Sequence, residues 1–210
     1  MEIHRALLRE AYGHPDILVS ADGQPGSDWL VGYFVDQVRN GVRFEAGQTV
    51  QIGWALLKLL GSDTGGLSVF EPDFASMPVR WVEGSSRVMR HLIIQREVCA
   101  LLGEDPYFPS MIEPAVISSA FISGRSAFSM LRDEEGWLFK AEEDEGHHAQ
   151  LSSLYAVGID RTAVIPFLAL PQGVEIRWQT DRVEVRLGEQ ISSSDSSDFL
   201  HELHASGVWY

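Results

Sequence analysis

The sequence predicts an α+β fold whose strands are antiparallel and packed against helices. Apolar residues recur at helical spacing in residues 28–40 and 85–102. Residues 174–178 and 183–187 instead alternate strictly between apolar and polar side chains around a short polar turn, which is typical of a β-hairpin. The chain therefore carries both amphipathic helices and hairpin strands.

A proline-rich segment predicts that these elements form two small subdomains. Residues 104–114 contain three prolines in eleven positions, which interrupts regular structure. We place an N-terminal α+β subdomain at residues 1–108 and a C-terminal α+β subdomain at residues 109–210.

The first part of the chain begins with a helical turn or two in residues 1–10. Ser27 resembles an N-cap for the helix at 28–40, and Asn40-Gly41 ends that helix. Residues 54–60 fit a strand or a helix, but the turn residues 62–66 favour a hairpin. The remaining predicted elements are strands at 14–20, 49–52 and 67–70 and the helix at 85–102.

The second part begins with short strands and ends with a helical turn that Asp198 caps. Between them, the hairpin of residues 174–187 gives the clearest pattern in the chain. The other predicted elements are strands at 115–118, 127–131 and 136–139 and helices at 151–157 and 161–170.

Composition and charge restrict the class of protein. The chain has 210 residues, of which 45% are hydrophobic and 22% charged, as in ordinary globular proteins. Its formal net charge is −14. Direct binding to nucleic acid or to an anionic membrane is disfavoured, because both require cationic protein surface. A basic protein partner fits this charge.

The expected location is the cytoplasm. Cys99 is the one cysteine, so no intramolecular disulfide can form, which fits a reducing compartment. The first residues show no secretory signal pattern. No apolar run approaches the roughly 20 residues that span a bilayer.

The most unusual stretch is residues 130–148, in which two acidic clusters flank the strand at 136–139. Seven carboxylates lie within thirteen residues, and such a density opposes stability through mutual repulsion. One interpretation is a pair of solvated acidic turns, and the other is a surface that binds a basic partner. The carboxylates are Asp133, Glu134, Glu135, Glu142, Glu143, Asp144 and Glu145.

Aromatic residues add candidate anchors for such a partner. The six tryptophans mostly fall in predicted elements, where core packing is the ordinary explanation. Trp137 lies between the two acidic clusters, and Trp209 and Tyr210 end the chain, where packing explains them least easily. We therefore predict that Trp137, Trp209 and Tyr210 bind the partner together with the seven carboxylates.

The sequence offers no complete catalytic, cofactor or metal site. His147 and His148 are adjacent, and adjacent histidines rarely ligate one ion together; no second histidine-rich cluster supplies the missing ligands at a recognisable spacing. His201 and His204 lack the HExxH arrangement. Cys99 has no candidate base at a known family spacing, and neither GxSxG nor a phosphate-binding glycine loop occurs. We predict a protein that is not an enzyme and has no cofactor and no metal.

Two other functions stay open. One is a metal-dependent hydrolase that uses the segment from Glu142 to His148, in particular Glu142, Glu145, His147 or His148. The other is a scaffold or interaction domain that is anchored through Trp209 and Tyr210.

Residues 115–178 resemble a bacterial immunity-protein family of polymorphic toxin systems, the thirty-third in the usual numbering. The resemblance rests on the strand at 116–119, on residues 132–139 with Gly136-Trp137-Leu138-Phe139, and on residues 164–173 ending in Pro171-Gln172-Gly173. The order is that of the family: an acidic turn, Gly-Trp-x-Phe, then an apolar helix ending in Leu-x-x-Pro-x-Gly. Residues 1–105 resemble the N-terminal extension of larger members, through residues 47–54 and 77–81.

The chain departs from the family pattern by a compact turn before Gly136 and by the His147-His148 loop. The resemblance implies no catalysis and no cofactor. It implies a cytoplasmic protein that binds and neutralises a cognate toxin delivered between bacteria. Since nucleases need a positive groove for their substrate, the negative charge favours a basic nuclease toxin, for example a DNase, as the partner.

Overall fold

The structure is a computed structural model that describes residues 2–23, 26–122, 127–141 and 149–206. The chain divides into two compact units, Met1–Ile93 and Ile94–Tyr210. Each unit contains one mixed sheet together with helices, which confirms the α+β class with two sheet subdomains. The division falls before the proline-rich segment at 104–114, which belongs to the second unit. The boundary at residues 108 and 109 stays a prediction.

The first unit is built on a six-stranded sheet in the order β1-β2-β5-β4-β3, with β6 paired to β5. β2 and β5 are parallel and the other neighbours are antiparallel. Its strands are β1 Glu2–Ala6, β2 Ile17–Ala21, β3 Thr49–Ile52, β4 Ala55–Gly61, β5 Leu67–Pro72 and β6 Trp81–Glu83. Its helices are α1 Arg9–Tyr12 and α2 Ser27–Arg39, and α3 Ser86–Ala100 begins in it.

Most elements predicted for this unit are confirmed, with two corrections. The helix predicted at residues 28–40 is present as α2, and the hairpin predicted around residues 62–66 is formed by β4 and β5. In the turn of this hairpin, the Gly66 N–H donates to Ser62 Oγ at 3.0 Å. The residue at the N-cap of α2 is Gly26, and Ser27 is already the first residue of that helix, so the prediction of Ser27 as the N-cap is wrong.

The helical prediction for residues 1–10 is also wrong over its first half. Residues Glu2–Ala6 form β1, because the edge of β2 offers them a full antiparallel register. Only the short α1 that follows is helical, and Asp16 Oδ1 accepts the N–H groups of Leu8 and Arg9 at its start. Strand β2 and Asp16 both contact this segment from farther along the chain, so the local sequence pattern could not reveal either contact.

A buried carboxylate holds the start of α3. Glu71 lies on β5, is 5% exposed, and its Oε2 accepts the N–H groups of Arg87 and Val88 at 2.9 and 3.0 Å. Burial raises the pKa of Glu71 to about 7, and the two N–H groups and the charge of Arg87 oppose that increase. The negative charge of Asp22 adds to it. This carboxyl therefore titrates near neutral pH in the folded protein.

We expect this group to make the protein less stable as the pH rises. Below the ordinary pKa of 4.5 both states are protonated, and between 4.5 and about 7 the folded state retains a proton that the unfolded state has lost. The contribution of Glu71 is therefore fully present below pH 4.5 and is lost progressively as the pH rises to about 7, with a difference of about 3 kcal/mol. Glu71→Gln keeps an acceptor for both N–H groups but does not titrate.

Urea titrations at pH 4.5 and pH 8 test this expectation. The variant should gain stability over the natural protein as the pH rises, and comparing the two proteins cancels the titration of every other group. A constant difference between them at the two pH values would show that Glu71 does not titrate in this range.

The second unit is built on a seven-stranded sheet in the order β10-β7-β9-β8-β11-β12-β13. β7 and β9 are parallel, and the other neighbours are antiparallel. Its strands are β7 Pro114–Ser118, β8 Phe128–Asp133, β9 Gly136–Ala141, β10 Ala149–Ser153, β11 Val174–Trp178, β12 Val183–Leu187 and β13 Gln190–Ser193. Its helices are α4 Ser119–Ile122, α5 Leu154–Asp160, a 3-10 helix at Thr162–Phe167 and α6 Asp198–Ser206.

One face of this sheet, here called the inner face, carries the core of the unit. Phe139 on β9 packs against Phe121 of α4 with ring centroids 5.5 Å apart. Trp178 on β11 contacts Phe167 of the 3-10 helix at 6.2 Å and His204 of α6 at 4.9 Å. These contacts place α4, the 3-10 helix and α6 on the inner face. The opposite face is called the outer face below.

The strands predicted for this unit are confirmed, and the helices are corrected. The helix expected at 151–157 starts later, because residues 149–153 add the edge strand β10 and Ser153 caps α5 by accepting the Ala156 N–H at 3.2 Å. Residues 161–170 form a 3-10 helix over only part of their length, and Pro166 lies inside it. Ser197, and not Asp198, caps α6 by accepting the Leu200 N–H.

In the parts of the chain that the structure describes, no helix has the length and apolar character needed to cross a membrane.

Candidate protein-binding site

The proline-rich segment is fixed against the second unit by backbone hydrogen bonds. The Tyr107 N–H donates to Ala169 O at 2.8 Å, just after the 3-10 helix. Farther along, Leu154 and Tyr155 at the start of α5 donate to the carbonyl oxygens of Glu113 and Met111 at 3.0 and 2.8 Å. This segment therefore lies along the end of the sheet where β8 turns into β9, and it presents side chains there.

Arg132 is a buried residue at this end of the sheet. It lies on β8, is 6% exposed, and its Nη1 donates to the carbonyl oxygens of Leu170 at 2.5 Å and Tyr107 at 3.1 Å. The guanidinium carbon is 4.5 Å from the Tyr107 ring centroid and 5.5 Å from that of Trp137. Burial lowers the pKa of Arg132, and neighbouring Glu113 is among the groups that oppose this. The charge of Arg132 is thus held inward by backbone oxygens and aromatic rings.

The acidic turn above Arg132 is ordered by one of its own carboxylates. Asp133 Oδ1 accepts the N–H groups of Glu135 at 2.8 Å and Gly136 at 3.1 Å. Gly136 has a φ of +121°, a conformation that side-chain-bearing residues rarely adopt. Glu134 and Glu135 occupy the two tip positions and are exposed. Within the described residues neither carboxylate forms an ion pair.

A cleft of about 390 Å³ lies between the acidic turn and the proline-rich segment. Among the described residues, four carboxylates border it, and the cation in its wall is Arg132, whose Nη1 already donates to backbone carbonyl oxygens. Tyr107 is 65% exposed at its rim. We call this feature the acidic cleft; its lining residues are Tyr107, Glu113, Arg132, Asp133, Glu134, Glu135, Gly136 and Gln172.

Trp137 lies in the core, whereas the prediction that it binds the partner required it to be on the surface. It is 3% exposed, its Nε1 donates to Leu168 O at 3.3 Å, and its ring stacks on Phe139. The alternation of β9 explains this, since Trp137, Phe139 and Ala141 share the buried inner face. Trp137 therefore packs beside the guanidinium of Arg132, below the acidic cleft, and is almost completely shielded from solvent there.

The structure brings three of the predicted acidic residues together and leaves the others untested. Asp133, Glu134 and Glu135 are exposed on one turn. Glu142, Glu143, Asp144 and Glu145, together with Trp209 and Tyr210, lie outside the described residues. Whether these nine residues bind a partner stays a prediction.

Sequence reasoning missed three side chains of the acidic cleft: Tyr107, Glu113 and Gln172. The proline-rich segment suggested a boundary, but its prolines indicate only where regular structure stops. A tyrosine and a glutamate flanked by prolines could have suggested an exposed recognition loop. Their position beside the acidic turn depends on hydrogen bonds to Ala169 and to the start of α5, which no local pattern encodes.

Two of the residues considered for chemistry, Cys99 and His204, have structural partners. Cys99 is fully buried, and burial raises the pKa of its thiol to about 11, which disfavours the nucleophilic thiolate. His204 hydrogen-bonds Gln179 O at 2.9 Å and packs on Trp178. No group of metal-ligating side chains occurs in residues 2–23, 26–122, 127–141 or 149–206. His147 and His148 lie outside these ranges.

Comparison of the chain with protein-family models, with curated proteins and with solved structures found no match. The resemblance to the immunity-protein family therefore stays an expectation from the quoted motifs.

Proposed function

We propose that this chain is an immunity protein that binds and neutralises a cognate antibacterial toxin, with the acidic cleft covering a basic surface of that toxin. The observation that carries the proposal is the exposed tip formed by Glu134 and Glu135. Their carboxylates have no cation among the described residues, and an ordered turn holds them outward. Uncompensated charge on a rigid turn opposes stability in the free protein and favours association with a cation.

Tyr107 supports the same proposal from the opposite rim of the acidic cleft. Its ring is mostly exposed, although its backbone is fixed by Ala169. A tyrosine held in this way offers a large contact area, and little side-chain entropy is lost on binding. An arginine or lysine of the partner could pair with the carboxylates while its aliphatic stem packs on this ring.

The toxin class that best fits this surface is a nuclease. An enzyme that cleaves nucleic acid needs a cationic groove, and a surface complementary to that groove blocks substrate by occupying it. The chain would act as a stoichiometric inhibitor without catalysis or a cofactor. Because it protects the cell that makes it, the proposal includes a cytoplasmic location.

Charge reversal at the tip tests the proposal directly. The probe is the toxin encoded beside the gene of this chain, produced in catalytically inactivated form. Glu134→Lys combined with Glu135→Lys should weaken its binding about tenfold or more at physiological salt, mainly by slowing association. The dependence of the association rate on salt should also become shallower.

A matched control separates local charge from total charge. Glu189→Lys combined with Glu202→Lys changes the net charge equally, at exposed positions outside the acidic cleft. This control should bind nearly as the natural chain does, and the natural chain should also restore growth to cells producing active toxin. Equal weakening by both double variants would reduce the effect to net charge, and absence of binding and protection by the natural chain would overturn the proposal.

A further inference from the structure

The outer face of the second sheet carries a continuous row of aliphatic side chains across four neighbouring strands. In register, Leu151 on β10 pairs with Val116 on β7, Val116 with Leu138 on β9, and Leu138 with Leu131 on β8. Leu151 is 74% exposed and Leu131 is 39% exposed, and the two residues between them are half-buried. We call these four residues the apolar row.

The apolar row is not part of the core of the unit. The helical elements placed above contact the inner face, through Phe139 and Trp178. Next to Leu131 and Leu138 the outer face forms a depression of about 260 Å³, which is also lined by Ser129, Lys140 and Glu175. A contiguous exposed aliphatic row with an adjoining depression is typical of an interaction surface. Single apolar residues scattered over a surface are ordinary and do not indicate such a site.

The charges around the apolar row are unevenly compensated. Farther across the face, Arg177 pairs with Glu175 at 2.9 Å, and Arg186 pairs with Glu184 at 3.1 Å, so these cations are matched locally. At the other side, Asp133 follows Leu131 by two positions on β8, which places it on the same face about 7 Å farther along the strand. The apolar row is therefore continuous with the acidic turn that begins at Asp133; Glu134 and Glu135 at the end of this turn are called the acidic tip.

We propose that the apolar row is the centre of the interface for the basic partner, and that the acidic tip is its rim. This inference rests on the proposed function and deepens it: the partner surface must carry an apolar centre bordered by arginine or lysine. Such an apolar centre with a charged rim is the usual anatomy of a specific interface. A second copy of this chain is a poorer occupant, because two molecules of charge −14 would repel each other and each would bring the same acidic tip.

The test replaces both exposed leucines of the apolar row. Leu131→Gln combined with Leu151→Gln should weaken binding of the inactivated neighbouring toxin about thirtyfold, mainly by faster dissociation, as expected for central apolar contacts. Leu7→Gln, at a position 71% exposed in the first unit, is the control and should leave binding unchanged. Thermal unfolding of all three proteins should show that the double variant remains folded, because its substitutions are at exposed positions.

Each outcome separates this inference from the proposed function. Weakened binding by the leucine variant alone, with the Leu7 variant normal, supports the apolar row as the centre. Normal binding by the leucine variant, while charge reversal at Glu134 and Glu135 weakens it, overturns the inference and leaves the proposed function standing. A concentration-dependent dimer of the natural chain that the leucine substitutions abolish would assign the apolar row to a second copy and overturn the inference. Absence of toxin binding by the natural chain overturns both.

Discussion

Replacing Trp137 with alanine is expected to lower the free energy of unfolding by about 4 kcal/mol, the range found for deleting a large buried aromatic side chain. The ring is almost fully buried, stacks on Phe139, and donates to Leu168 O, so its removal leaves a cavity and takes away one of the two donors of Leu168 O, the other being Arg132 Nη1 at 3.4 Å. It also removes one of the two rings that flank the Arg132 guanidinium. Urea titration followed by circular dichroism measures the loss.

Trp29→Ala is the matched control, because Trp29 is 44% exposed on α2 of the first unit. It should cost about 1 kcal/mol or less. This comparison also decides between the two roles considered for Trp137. A stability close to that of the natural chain, combined with lost toxin binding, would make Trp137 a surface anchor after all and would contradict its place in the core.

Replacing Arg132 with methionine is expected to destabilise the protein by about 3 kcal/mol or more. Methionine retains much of the aliphatic volume but none of the donors that Arg132 directs at the carbonyl oxygens of Leu170, Tyr107 and Leu168. Buried acceptors left without donors each cost on the order of 1–3 kcal/mol. Because the proline-rich segment is held partly through Tyr107 O, the variant should also alter the fluorescence or exchange protection of that segment.

Arg177→Met provides the comparison on the neighbouring strand β11. Arg177 faces outward, with its side chain 54% exposed and paired to Glu175, and such surface pairs contribute about 1 kcal/mol at most. Similar losses for the two arginine variants would show that the carbonyl contacts of Arg132 contribute little. Arg132→Lys should fall between them, since an ammonium group cannot lie flat between the rings of Tyr107 and Trp137.

Local sequence patterns correctly predicted hairpins and helices in which the hydrogen-bonded residues are also close together in the sequence. The hairpin of residues 174–187 and the one around residues 62–66 follow from alternation and turn residues, and α2 and α3 follow from helical spacing. The acidic turn at Asp133–Gly136 was equally visible, because its hydrogen bonds are made by residues two and three positions apart. Net charge, which needs no structure, already favoured a basic partner.

Distant partners decided what these patterns could not. Residues Glu2–Ala6 are a strand because β2 pairs with them, and residues 149–153 are a strand because β7 does. Glu71 reads as an ordinary strand residue, but it caps α3 from sixteen positions away. In each case the hydrogen-bonding partner lies far along the chain, so the local propensity is overridden.

By itself, the sequence determined that this protein is an acidic α+β chain with an exposed charged turn, because charge and periodicity are properties of neighbouring residues. Only the tertiary structure decided which aromatic residue faces solvent. Trp137 turned inward with its strand, whereas Tyr107, held by Ala169, turned outward beside the carboxylates. The apolar row also belongs to the tertiary structure alone, because it joins four strands whose register is set by sheet hydrogen bonds.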